Sequence, residues 1–207
     1  NIKFSNLFLE DTLTYQLDSF IKPIKQNGKT ALFDYGGANI GKSLHVGHIR
    51  TLNIGRSLES IYTLAGYKTI TDIHFGDWGM PIALIIAYIE REKIDIKSIT
   101  HNDLENIYPE ASRLSQKDEE FYKKALTISK EMNTQDKKRL SQWKIIHKIS
   151  TDNIKNLLSD LGYKFDYYLG ESDVIDLLPD YIEKLKEQNL VRIDNGALVA
   201  NDNQEPP

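Results

Sequence analysis

Apolar positions recur along this chain with two different periods, and the switches between them mark its elements. Leu13, Leu17, Phe20, Ile21 and Ile24 stand at helical spacing, which predicts an amphipathic helix from about Asp11 to Gln26, ended by Asn27-Gly28. Thr30 to Tyr35 is a short run of apolar and β-forming residues, the pattern of a buried strand. Glycines follow, then a helical stripe through Ile54, Leu58, Ile61 and Ala65 that stops at Gly66, then the alternating segment Lys68 to His74. Strand, loop, helix and strand in this order predict a βαβ unit of a parallel sheet, with the usual right-handed crossover.

Phe75 to Gly79, FGDWG, reads as a turn that launches a helix from about Met80 to Arg91, apolar on nearly every side and therefore buried. Two further helices are predicted, Glu119 to Met132 and Gln135 to Leu161. The second has Trp143, Ile146, Ile149, Ile154, Leu157, Leu158 and Leu161 as its stripe and Gly162 as its stop. A strand over Tyr163 to Leu169 is expected next, then a helix over Val174 to Gln188 with Val174, Leu178, Tyr181, Ile182 and Leu185 inward. Leu190 to Ala200 reads as a hairpin turning at Asp194-Asn195-Gly196. No internal repeat is visible. A parallel sheet of about three or four strands with an open last edge is incomplete for this architecture, so the chain is expected to be cut from something larger.

Composition narrows the class. With 207 residues, 40% apolar and 27% charged, the chain can bury one sizeable core and carries no bias towards disorder. It has no cysteine, which removes disulfides and thiolate metal sites and fits a reducing compartment. The longest apolar run, Ile82 to Ile89, is far short of the roughly 20 residues that span a bilayer. The start, NIKFSNLFLEDTL, lacks a basic segment ahead of an apolar one, so a cytoplasmic protein without a membrane partner is expected. A net charge of −4 argues against a surface built throughout to grip nucleic acid. Between Lys117 and Lys155, however, ten Lys/Arg face six Asp/Glu, either a phosphate-facing patch or the solvated face of surface helices.

The chemistry concentrates in Thr30 to Arg50, TALFDYGGANIGKSLHVGHIR, which admits two readings. Gly36 to Ser43 satisfies G-x-x-x-x-G-K-[ST] after a strand and before a helix. As a phosphate loop it would wrap backbone N–H groups around phosphates, with Lys42 on the terminal phosphates, Ser43 on Mg²⁺ and Asp72 as an acidic partner. Against this, the helix should begin at the lysine, yet Leu44 to His48 places a glycine and two histidines there, residues that mechanism does not use. The second reading takes His45 and His48 as the working groups. At i and i+3 on the first turn of a helix they share a face, beside a positive dipole end, and Gly47 between them lets a nucleotide approach the backbone. Two imidazoles and Lys42 would then donate to ATP phosphates as charge develops at the α-phosphorus, the logic of adenylyl transfer. No third ligand of fitting spacing stands nearby, so no metal site is expected.

GGANIGKSLHVGHIRTLNIGRSLESIYTLAGY followed by HFGDWG resembles the catalytic domain of class I aminoacyl-tRNA synthetases, and specifically arginyl-tRNA synthetase. HVGH stands where that class has its HIGH signature. Asn39 to Lys42, Gly76 to Gly79, YPEASRLSQKDEEFYKKA, Trp143, FDYYLGES and DNGALV continue the likeness, which covers roughly Lys29 to Val199. It implies a Rossmann-like α/β fold with a helical insertion: a leading helix (1–28), the first half of the catalytic domain (29–92), the insertion (93–162) and further catalytic-domain elements (163–207). His45, Gly47, His48 and Lys42 would hold ATP, with Mg²⁺ accompanying the nucleotide. Asp34, Asn39 and Glu171 would hold arginine, whose guanidinium is best met by carboxylates. Asp34 meeting loop N–H groups, or Glu171 capping the helix near Val174, are the structural alternatives. Asp77 and Trp78 are expected to be structural, a helix start with a packed aromatic.

The whole enzyme would join arginine to tRNA(Arg) at the expense of ATP, with no DNA partner, and this part of it is expected to be inactive alone. Two departures from the family stand out. Gly36, Gly37, Ala38 and Gly41 replace its usual loop residues and are expected to loosen the loop, and the second half of the nucleotide fold is absent. A phosphate-loop NTPase using Gly36 to Ser43, or a non-catalytic RNA-binding fragment using the 117–155 helices, are the rival functions.

Overall fold

The computed structural model of the chain describes residues 3–11, 25–194 and 197–201. A short helix α1 (Asn6–Asp11) comes first, and residues 12–24, which hold most of the predicted leading helix, lie outside the described residues. Strand β1 (Thr30–Asp34) is followed by helix α2 (Val46–Leu64) and strand β2 (Lys68–Asp72), and β1 and β2 pair in parallel from Thr30 opposite Lys68 to Asp34 opposite Asp72. Helix α3 (Met80–Arg91) is the hub of the core, with Ile82 to Ala87 and Ile89 buried, as its all-round apolar sequence requires. Around it pack α4 (His101–Ser115), α5 (Glu119–Asn133) and α6 (Lys137–Asp160). After two single 3₁₀ turns come α7 (Leu178–Glu187) and an antiparallel pair, β3 (Val191–Asp194) with β4 (Ala197–Ala200). The turn expected at Asn195-Gly196 lies outside the described residues. The buried cluster runs unbroken from Ala38 to Phe165, so the helices after α3 share one core with the βαβ unit.

Five elements differ from the sequence reading. Helix α4 was not predicted, because Pro109 interrupts its pattern; its signal is the capping box of Thr100 and Asp103 ahead of buried Leu104, Ile107 and Ala111. The segment over Tyr163 to Leu169 is not a regular strand. It joins the edge of β2 through single parallel bridges, Asp72 with Tyr167 and Phe75 with Gly170, because side chains take over the ladder: Asp166 Oδ2 accepts the Thr71 N–H at 2.8 Å and Asp72 Oδ1 accepts the Leu169 N–H at 3.1 Å. The apolar stripe of α2 is not the face it turns to the strands. Leu52 and Gly55 face the strands, while Ile54, Leu58 and Ile61 are exposed, since a side chain on Gly55 would collide with the Tyr35 ring that crosses there. Helix α7 begins only at Leu178, and Val174, Leu178 and Tyr181 are exposed rather than inward. In α6, Leu157 and Leu161 likewise point outward, while Ile146, Ile154 and Leu158 are buried.

One ion cluster locks α3, α5 and α6 together. The Arg139 side chain, 5% exposed, sets Nη1 2.5 Å from Glu90 Oε1 and Nε 2.6 Å from Glu131 Oε2, and Lys138 Nζ stands 2.6 Å from Glu90 Oε1. Burial alone would raise the Glu90 carboxyl, but the hydrogen bonds and charges of Lys138 and Arg139 prevail and hold it at about 2, against an ordinary 4.5. A carboxylate depressed in the folded state stabilises the fold fully above 4.5 and ceases to as the pH falls through its folded value near 2. The stability gap between wild type and Glu90→Gln, followed by urea unfolding, is therefore expected to be about 3 kcal/mol at pH 7 and to close between pH 4.5 and 2.

Candidate active site

The first turn of α2 is closed by its own histidines. His45 is the N-cap, and its Nδ1 accepts the Gly47 N–H at 3.1 Å, while His48 Nδ1 accepts the His45 N–H at 3.1 Å. This is a capping box made of two imidazoles instead of a hydroxyl and a carboxylate. It sets the tautomer. With both Nδ1 atoms accepting, each neutral ring carries its proton on Nε2, and the two rings, 4.1 Å apart at their centres, present a pair of N–H donors at the positive end of the helix. Burial, and then the neighbouring His45, hold His48 below its ordinary 6.5, so it is neutral at pH 7. Gly47 is needed for space: a Cβ there would stand 2.8 Å from His45 Cε1. Two backbone N–H groups of this helix start, those of His45 and Gly47, are spent on the rings, and the side-chain donors left there are the imidazole Nε2–H groups.

The loop ahead of it is pinned, contrary to the expected loosening. Ala38 and Ile40 are fully buried, Ile40 N–H donates to Gly76 O at 3.1 Å, and Gly41 N–H donates to Ser150 Oγ at 2.9 Å. Gly36 takes φ +110°, a conformation that favours glycine, with Ile73 and Leu52 filling the space of a side chain. These bonds also dispose of the phosphate-loop reading. The Ile40 and Gly41 N–H groups are spent inside the protein, and the helix starts at Val46, four residues after the lysine. The Lys42 ammonium stands 4.3 Å over the ring of Tyr108 in α4.

The three residues expected to meet arginine gather along one ribbon. Where β2 continues as His74 to Trp78, Asp34 Oδ1 accepts the His74 N–H at 3.4 Å, Asn39 lies over Gly76 in a parallel bridge, and Glu171 Oε2 accepts the Trp78 N–H at 3.3 Å. Asp34, Asn39 and Glu171 thus abut alternate positions 74, 76 and 78, and all three side chains remain exposed. Glu171 does not cap the following turn; Asp173 does, accepting the Gly170 N–H at 2.8 Å. A groove of about 490 Å³ opens beside Asp34, between Tyr35 to Gly37 and Thr51 to Leu58.

Asp77 underlies this ribbon. It is fully buried, accepts from Ser172 N at 2.8 Å and Ser172 Oγ at 2.6 Å, and lies 3.1 Å from His147 Nε2. Burial would raise its carboxyl, but the bonds from His147 and Ser172 outweigh that and keep it below the ordinary range. Trp78 donates to Asn133 Oδ1 at 2.8 Å and meets Trp143 edge-on at 5.5 Å, the packed aromatic expected of it. His147, Ser150, Tyr108 and Glu105 escaped the sequence reading, since nothing in their spacing relates them to the loop they touch. Of the ten basic residues from 117 to 155, Lys123, Lys124, Lys138, Arg139 and Lys148 are engaged in ion pairs, which weakens the case for a phosphate-facing patch. Among the described residues no three His, Asp or Glu converge on a metal-sized site, and no helix is long and apolar enough to cross a membrane.

The family described as tRNA synthetases class I (R), catalytic domain, matches residues 12–204. The arginine–tRNA ligase of Agathobacter rectalis is 33% identical over 213 residues, covering 96% of this chain and 35% of its own. That of Wigglesworthia glossinidia brevipalpis is 35% identical over 194 residues, covering 92% of this chain and 34% of its own. The chain thus spans about a third of the length of the curated relatives it matches. Among solved structures, an arginyl-tRNA synthetase from Plasmodium falciparum aligns with a TM-score of 0.65 at 25% identity, over 90% of this chain and 32% of that one. The Thermus thermophilus arginyl-tRNA synthetase, at 18% identity and a TM-score of 0.60 over 88% of this chain and 32% of that one, shares the fold. With an incomplete Rossmann-like sheet, a histidine-capped helix after its first strand and a family match over nearly its whole length, this chain belongs to the class I arginyl-tRNA synthetase catalytic-domain family.

Proposed function

We propose that this chain supplies the ATP- and arginine-facing part of an arginine–tRNA ligase, a cytoplasmic enzyme of translation that acts on arginine, ATP and tRNA(Arg) and is inactive as this part alone. In this reading residues 29–92 and 163–207 form the catalytic fold and 93–162 a helical insertion. The observation that carries it is the paired imidazole cap, two Nε2–H donors preset at a helix N-terminus by their own Nδ1 bonds. The arginine carboxylate attacks the α-phosphorus of ATP, the bond to the bridging oxygen of pyrophosphate breaks, and arginyl adenylate and pyrophosphate result. His45 and His48 donate to phosphate oxygens as charge develops there, joined by Lys42, and Mg²⁺ arrives with the nucleotide. A hydroxyl of the terminal tRNA ribose then attacks the carbonyl carbon and displaces AMP. Asp34 and Glu171 face the guanidinium and Asn39 the amino acid, from the ribbon that holds all three.

The test is ATP–pyrophosphate exchange by the full-length protein with tRNA(Arg) present. Exchange is expected with arginine and not with free lysine, whose point charge lacks the planar fork that two carboxylates would read. Preference for another amino acid overturns the arginine assignment.

A further inference from the structure

Gly41, Lys42 and Ser43, the residues that complete the accidental phosphate-loop match, are each held by a residue from the helices that follow α3. Gly41 is bound by Ser150 of α6, and Lys42 Nζ sits 4.3 Å above the Tyr108 ring of α4. Ser43 Oγ donates to Glu105 Oε1 of α4 and lies 3.3 Å from His101 Nε2, which is itself 3.3 Å from the same Glu105 oxygen. Among the described residues, buried His101 Nδ1 has no hydrogen-bond partner, so the polar engagement of that ring runs through Nε2 into this cluster. Helix α4 is a firm base for the grip, because Leu104, Ile107 and Ala111 anchor it in the core and Tyr108 is half-buried against it.

We propose that Tyr108 is the positioning residue for Lys42, seconded by Glu105 on the adjacent Ser43, so that helix α4 sets where the ammonium stands before ATP arrives. The proposal rests on Lys42 being a phosphate ligand. A lysine stem has many rotamers, and fixing them on binding costs affinity unless something restricts them beforehand. A carboxylate partner would restrict them but compete with the phosphate for the charge. An aromatic face attracts the ammonium without neutralising it, and gives it up to a stronger anion.

The measurement is the ATP KM in pyrophosphate exchange by the full-length protein, at saturating arginine and tRNA, with the arginine KM alongside. Tyr108→Leu is expected to raise the ATP KM about three- to tenfold and leave the arginine KM within about twofold, and Tyr108→Phe, which keeps the ring, to restore it. Glu105→Ala, at a solvent-facing position, is expected to raise the ATP KM about two- to threefold with an unchanged Tm, and serves if Tyr108→Leu does not fold. An unchanged or lowered ATP KM in these variants, beside a Lys42→Ala that raises it, overturns the positioning role. If Lys42→Ala itself leaves the ATP KM unchanged, the phosphate role of Lys42 falls and the proposal falls with it.

Discussion

Replacing His48 with alanine is expected to lower the turnover of arginine-dependent pyrophosphate exchange about 100- to 1,000-fold, the usual loss when one preset donor to a developing phosphate charge is removed. Two effects combine. The Nε2–H donor disappears, and His45 N–H loses its acceptor, so half of the cap is broken as well. His48→Gln separates them, since an amide can replace a donor but not reproduce the tilted pair of rings, and is expected to recover only part of the loss. An ATP KM that rises while turnover stays normal would show that the imidazole binds the ground state and not the transition state. The pH dependence follows from the cap. The ring is held below 6.5 by burial and by His45, and protonation puts a hydrogen on the Nδ1 that must accept. The cap's contribution is therefore complete above 6.5 and lost as the pH falls through the lower folded value, which places the acid limb of the rate profile below 6.5.

The second large effect is on stability. Asp77→Ala is expected to cost about 3 kcal/mol, read as a lowered urea midpoint, because it leaves the Ser172 N–H, the Ser172 hydroxyl and His147 without their shared acceptor. Gly170 packs directly on this carboxylate, 2.6 Å from where its Cβ would be, so the residue also shapes the approach of the 170–173 turn. That turn carries Glu171. The same variant is therefore expected to weaken arginine more than ATP, whereas an equal loss for both would mean a general collapse. Asp77→Asn, which keeps the shape and one acceptor oxygen, should lose less. The exposed pairs Lys148 with Asp152 and Lys123 with Glu119, each one helical turn apart, carry far less weight.

Much of the fold was readable because it is locally encoded. The switch from period two to period 3.6 around Gly36 and Gly66 announces β1, α2 and β2, and the uninterrupted apolar run of α3 allows it nowhere but the core. What failed was which face of a helix meets which neighbour. The stripe of Ile54, Leu58 and Ile61 is as regular as that of a buried helix, yet Leu52 and Gly55 are what face the strands. Likewise Pro109 hid α4, although its Thr100 and Asp103 cap is a local signal that was there to be read.

The sequence by itself determined that two histidines share one face of a helix start after a strand and a tight loop, because spacing of three within a helix is a local property. Only the tertiary structure decided that Lys42 rests on Tyr108, and that Asp34, Asn39 and Glu171 meet along residues 74 to 78. Ser172 and Asp77 are 95 positions apart, and Ser150 and Gly41 are 109 apart. No periodicity relates residues so distant. They meet because burying α3 draws α4, α5 and α6 around it, and the polar groups carried inward must then find partners among whatever else is buried there.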